Sequence, residues 1–293
     1  MPTWLTMPLL HAGQPEPTGW LHSNWRPEPS VVIGVIALIG LYVVWTGSKN
    51  RDERGFQINP VSVGQRIMFI AGALTIGIAL SPPLDDWSDH FLLSAHMLQH
   101  LLLMMLAVPL LIAGTPPWLV SKLLSRGPVR PVMYVLTRPV VSFLIGNLII
   151  VIWHMPFAYD AMLQNLPLHI AAHISFMVAA FFLWWPVMSR SPELPGLPAL
   201  LACLFIFLNT IPGGIVGAFI TLAAPGLYAV YPDAPRIWGI SLGTDQQIAG
   251  LTMWVVTGLI YLGWITVIFF RWAADEERRD MTSAQPTASP AHP

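Results

Sequence analysis

The chain of 293 residues is 55% hydrophobic, only 10% charged, and has a formal net charge of −1. A soluble domain carries about 25% charged residues, so a chain with mean hydropathy +0.62 reads as an integral membrane protein. The near-neutral balance excludes the electrostatic footprint of a nucleic-acid binder. A single cysteine, Cys203, excludes an intrachain disulfide framework and every CxxC metal or redox motif.

The N-terminal stretch "MPTWLTMPLLHAGQPEP" has no basic n-region and no small-residue cleavage site, so it does not read as a signal peptide. Residues 1–29 are expected to form an extracytoplasmic segment. A membrane helix needs about 20 mostly apolar residues, and seven spans meet that need, at 30–47, 65–81, 91–113, 138–153, 167–188, 198–222 and 245–271. Proline and glycine punctuate the gaps: "SPPLDDW", "GTPPW", "SRSPELPGLP" and "YPDAPR". The fourth span is the shortest. The sixth contains "NTIPGG", expected to kink or break it. Residues 273–293, ending in "TSAQPTASPAHP", read as a disordered cytoplasmic tail. The expected fold class is an all-α integral membrane protein, a seven-transmembrane-helix bundle over residues 30–272.

Lys/Arg asymmetry orients that bundle. Lys49, Arg51 and Arg54 follow span 1, and Arg66 opens span 2. Lys122, Arg126, Arg130 and Arg138 separate spans 3 and 4. Arg190 follows span 5, and Arg271, Arg278 and Arg279 close the membrane part. These twelve share one side, against Arg26 and Arg236 on the other. The N-terminus is therefore read as outside and the C-terminus as cytoplasmic.

Of nine histidines, His90, His96, His100, His154, His169 and His173 all fall at the outer ends of spans. His96/His100 and His169/His173 are both H-x-x-x-H. That spacing puts two imidazoles on one helix face, one turn (about 5.4 Å) apart. Two facing pairs could offer four nitrogens to one ion, and His154 a fifth. At about 1.5 Å per residue, His100 lies roughly 15 Å and His173 roughly 9 Å below the start of its span, compatible with one cluster. A lone membrane histidine is as well explained by hydrogen bonding to a neighbouring helix. Five at one level favour an ion site, with a proton relay as the rival.

Imidazole suits zinc, copper, iron and nickel, and thioether favours Cu(I). Met97 and Met155 adjoin histidines, whereas Met104, Met105, Met162 and Met177 read first as packing. The absence of usable cysteine argues against structural zinc. Haem held between two facing histidines is an alternative. Asp160 and Asp245 either accept a ligand's second N–H or cap helices. Asp89 precedes the first pair, and Asp85 and Asp86 read as solvated loop charge or a weak lure for cations. The only lysines, Lys49 and Lys122, lie in cytoplasmic loops, which excludes a retinal Schiff base. No P-loop, HExxH or GxSxG occurs, and no enzyme activity is expected.

Three stretches carry a resemblance: "SAHMLQHLLLMMLAVPLLIAG", "WHMPFAYDAMLQNLPLHIAAHISFMVAAFFLWWPVM" and "DQQIAGLTMWV". In this order they resemble the CtaG family of polytopic bacterial cytochrome c oxidase assembly factors, over roughly residues 30–272. By that resemblance His96, Gln99 and His100 fill an H-x-x-Q-H position. Trp153, His154, Pro156, Tyr159 and Asp160 fill W-H-x-P-x-x-Y-D. His169 and His173 fill the following H-x-x-x-H, and Asp245 and Gln246 the last motif. The resemblance implies a multi-pass protein of the bacterial plasma (inner) membrane that is needed to make an active haem–copper oxidase. It implies copper handling on the outer face, with cytochrome c oxidase subunits as partners. The expected metal ligands are His96, His100, His154, His169 and His173, supported by Asp160, Asp245, Gln99 and Tyr159. Membrane lipid is the surrounding medium, a homo-oligomer is left open, and nucleic acid is not a partner. The rival readings are a haem-binding membrane redox protein and a copper or proton transporter.

Overall fold

The structure, a computed structural model, describes residues 28–47, 61–125 and 128–283. Among these residues there is no β-strand, and the architecture is helical throughout. In chain order the helices are α1 (Pro29–Thr46), α2 (Val63–Ala79), α3 (Leu84–His90), α4 (Leu93–Gly114), α5 (Pro117–Leu124), α6 (Val129–Leu136), α7 (Pro139–Trp153), α8 (Pro156–Leu163), α9 (Leu166–Met188), α10 (Ala199–Leu222) and α11 (Leu242–Thr282). Five of them (α1, α4, α9, α10 and α11) are long and apolar enough to cross a membrane. Two bent pairs, α2 with α3 at 44° and α6 with α7 at 77°, raise the number to as many as seven.

Local sequence explains the boundaries. Pro29, Pro117, Pro139, Pro156 and Pro167 occupy first-turn positions, where a missing N–H has no cost. Ser62 and Gln65 close a capping box on α2. Asn165 caps α9 through the Leu168 N–H, and Ser241 caps α11 through the Thr244 N–H.

The bundle turns apolar groups outward and polar groups inward. Val140, Leu144, Leu148 and Ile152 form an exposed stripe on α7, while Gln99, Asn147, Asn209, Asp245, Gln246 and five histidines are buried. That distribution suits hydrocarbon as solvent. Helices approach closely where side chains vanish. A Cβ on Gly114 of α4 would come 2.4 Å from the Phe69 nitrogen of α2, and one on Gly250 of α11 would come 2.6 Å from the Gly217 carbonyl of α10. Helix α1 leans on this framework through Tyr42, which stacks on Phe69 at 3.8 Å and donates to the Gly114 carbonyl.

Two expectations are corrected. Of the kink or break expected at "NTIPGG", the break is absent: helix α10 is continuous there, with Pro212 inside it. The side chains of Asn209 and Thr210 donate to the carbonyls of Phe205 and Phe207 just ahead of Pro212. Helix α11 also continues beyond residue 272, with exposed pairs Arg278–Asp275 and Arg279–Glu276 along its end. The segment 1–27 and the last residues of the tail lie outside the described residues.

Thr115, Met188, Arg190 and Arg271 line one cavity. It sits at the far ends of α4 and α9, whose first eight residues carry four of the histidines. The 23 residues of α9 separate the two ends by about 35 Å. Arg190 and Arg271 thus lie opposite the histidine end.

Candidate metal centre

Helix α4 begins with its first amides held from another element. The Asp245 carboxylate of α11 accepts from the Leu93 and Ser94 N–H groups at 2.8 and 3.0 Å. Free N–H groups at a helix start attract an anion, so this contact sets α4 against α11. One turn in, His96 and His100 have ring centroids 4.3 Å apart, and His169 and His173 of α9 are 4.4 Å apart. Across the helices, His96 lies 5.8 Å from His169 and 6.1 Å from His173, and His100 lies 5.6 Å from His173.

Two donor sets result. The nearest nitrogens of His96, His100 and His173 lie within 4.8 Å of one another, and so do donor atoms of Asp89, His96 and His169. The sets share His96. Both nitrogens of His96 and His100, and Nε2 of His169 and His173, are buried without a hydrogen-bond partner. Leaving a buried polar atom unpaired costs about 1–3 kcal/mol, and folded proteins seldom retain such atoms. Six together in one place form a donor set that suits a cation. Asp89 places Oδ2 3.5 Å from His169 Nδ1 and Oδ1 4.0 Å from His96 Nδ1. From there it could ligate directly or orient the imidazoles.

A polar shell closes the end of the bundle. The Tyr159 ring packs 5.2 Å from His96, and its hydroxyl pairs with that of Tyr231 at 2.9 Å. Tyr231 donates to the Ser88 carbonyl, and Tyr228 donates to the His154 carbonyl. Both tyrosines belong to the 223–241 loop, which Gln246 fastens. Its Oε1 accepts from the Gly226 and Leu227 N–H groups, and its Nε2 lies 3.1 Å from the carbonyls of Ile220, Ala223 and Ala224. Gln99 donates to the Ala79 carbonyl and to Asp85, binding α4 to the α2–α3 bend.

All five expected histidines meet at this end. His154 stands apart from both close sets: its ring is 5.9 Å from His100, and its Nδ1 lies 2.7 Å from the Ile150 carbonyl. That contact leaves Nε2 for a ligand. His90 is outside the cluster, with Nδ1 near the Asp86 carbonyl. Neither aspartate caps its own helix. Asp245 caps α4 instead, while Asp160, in the second turn of α8, faces the backbone amides of Ala229 and Val230. Asp85, expected to be solvated in a loop, sits on α3 bonded to Gln99, because the bend brings α3 over α4. Asp89, Tyr228 and Tyr231 were not expected as site residues. Asp89 is separated from His96 by a helix break at 91–92, so no helical spacing signals it. The tyrosines sit in a loop whose Pro/Gly content signals only a turn.

These features define a multi-helix membrane protein that buries a group of histidines with unpaired nitrogens at one end of its bundle. The chain belongs to the cytochrome c oxidase caa3 assembly factor family, Caa3_CtaG, which it matches over residues 40–275, a stretch that includes every histidine of the cluster. It is also similar to "Uncharacterized protein ML1998" of Mycobacterium leprae (strain TN), with 22% identity over 271 residues. The alignment takes in 87% of this chain, and the chain spans about 40% of the length of that curated relative. No solved structure matches.

Proposed function

We propose that this protein serves cytochrome c oxidase assembly by holding a copper ion, its cargo, in the histidine cluster and passing it to an oxidase subunit. Membership of the assembly-factor family supports the oxidase role. The observation that carries the ion reading is the six buried imidazole nitrogens without partners. His96, His100 and His173 form the inner set, and Asp89 with His169 extends it toward α3. Imidazole donors next to thioethers suit copper. The cavity beside His100 and His154 measures about 60 Å³, whereas cofactor pockets span roughly 300–1,000 Å³, which favours an ion over a haem macrocycle. The tyrosine loop excludes water, and Asp89 is placed to hold an imidazole N–H. The protein's part is binding and release, without a catalytic step.

In this reading both bent pairs are single spans, giving seven, and the basic end faces the cytoplasm. The N-terminus is outside, and the cluster lies in the outer leaflet of the bacterial plasma membrane. Copper presented there reaches an oxidase centre from the extracytoplasmic side.

Elemental analysis and an optical spectrum of detergent-purified protein test this, beside a His96→Ala/His100→Ala double variant. Near-stoichiometric copper in the wild type that vanishes in the variant, together with lost oxidase maturation, is the expected result. Full copper and normal oxidase in the variant would overturn it. A Soret band would make the protein a haem carrier, and copper flux in proteoliposomes a transporter.

A further inference from the structure

His154 raises a separate question, because it belongs to neither close donor set. It lines, with His100, a cavity that continues from the cluster into the bundle and is walled by Met97, Met104, Met105 and Met253. The cavity floor includes Asn147 and Asn209, joined by a 2.8 Å hydrogen bond. Methionine is common filler, so four thioethers alone would mean little.

The backbone supplies an independent observation. Among the described residues there are two π-helical turns, Leu102–Ala107 in α4 and Thr252–Val256 in α11. They carry Met104, Met105 and Met253, three of the four cavity methionines. A π-turn inserts a residue into the helical ladder, rotates the side chains around it, and is frequently found at functional sites. The one in α4 is pinned from α9, where the Trp184 indole donates to the Met104 carbonyl at 2.9 Å.

We propose that the bundle holds a second, softer station for a cuprous ion, one turn deeper than the histidine cluster, built from His154 Nε2, His100 and the thioethers of Met104, Met105 and Met253. The inference rests on the copper reading above. Neutral sulfur donors select Cu(I) over zinc or Cu(II). A single charge is also far cheaper to bury in a dry interior than a double one, since the cost of charging rises with the square of the charge. Met104 lies four residues past His100, about 6 Å along the helix. His100, with no hydrogen bond to either nitrogen, is placed to belong to both stations. The ion moves by ligand exchange alone: bonds to His96 and His173 break, bonds to His154 and sulfur form, and copper stays Cu(I).

The test is X-ray absorption on the full-length, detergent-purified protein loaded anaerobically with Cu(I), excess metal being removed with bathocuproine disulfonate. Wild-type protein should show sulfur as well as nitrogen around copper. A Met104→Leu/Met105→Leu/Met253→Leu variant, which conserves volume, should lose the sulfur shell and keep the nitrogen one. Wild-type copper surrounded by nitrogen alone would overturn this station and leave the histidine centre standing. A sulfur shell that survives in the triple variant would overturn it as well. Wild-type protein that takes up no copper would overturn both readings. The wild-type spectrum decides even if the variant does not fold.

Discussion

Asp245 has no exposed surface, and a buried carboxylate needs partners. It finds them in the Leu93 and Ser94 amides, so its contribution is to the helix that carries the first histidine pair. Asp245→Ala should destabilise the protein by about 1–3 kcal/mol, visible as a lower melting temperature in detergent, with copper retention falling in parallel. Asp89→Asn should behave differently. It should leave melting nearly unchanged and weaken copper binding about 10–100-fold, as measured by chelator competition. At this scale the histidines were legible, because H-x-x-x-H has only one geometric meaning on a helix. Asp245 was legible as a supporting residue, but its partner was not, because it acts on a backbone 152 positions away. The reach of Asp89 to the histidines is hidden by the break at 91–92.

The ends of the long apolar helices were legible to within a few residues, except the C-terminal end of α11, because hydrocarbon demands long apolar runs and proline marks several of their starts. The π-turns were not, since "LLMMLA" and "TMWVV" are as apolar in one helical form as in another. Nor was the crossing of α10 and α11, which depends on two glycines meeting. Gly250→Val should drive those helices apart and sharply reduce the amount of folded protein, read by size-exclusion chromatography. Gly258→Ala, with open space around it, should leave the profile unchanged. Gln246→Ala should release the 223–241 loop and accelerate tryptic cleavage after Arg236, read by limited proteolysis against wild type.

For the molecule as a whole, Arg190 and Arg271 lie at the end of the bundle opposite the histidines, and Arg236 lies in the loop at the histidine end. The proposed orientation is checked with single cysteines placed at Lys122 or Asp233 in a Cys203→Ser background. An impermeant maleimide should label position 233 in intact cells, and position 122 only after the membrane is opened. Labelling at 122 alone would invert the topology.

The contact between Asp245 and the start of α4 also bears on how the molecule is made. Synthesis runs from the N-terminus, so α4 and α9, with their four imidazoles, exist before residue 245 emerges. Until α11 arrives, the first amides of α4 have no carboxylate and Gln246 cannot fasten the tyrosine loop. Completion of the chain and completion of the histidine centre are therefore one event. A chain stalled or cut short before α11 would carry the ligands without the setting that aligns them, and a nascent chain would have little means of scavenging copper on its way into the membrane.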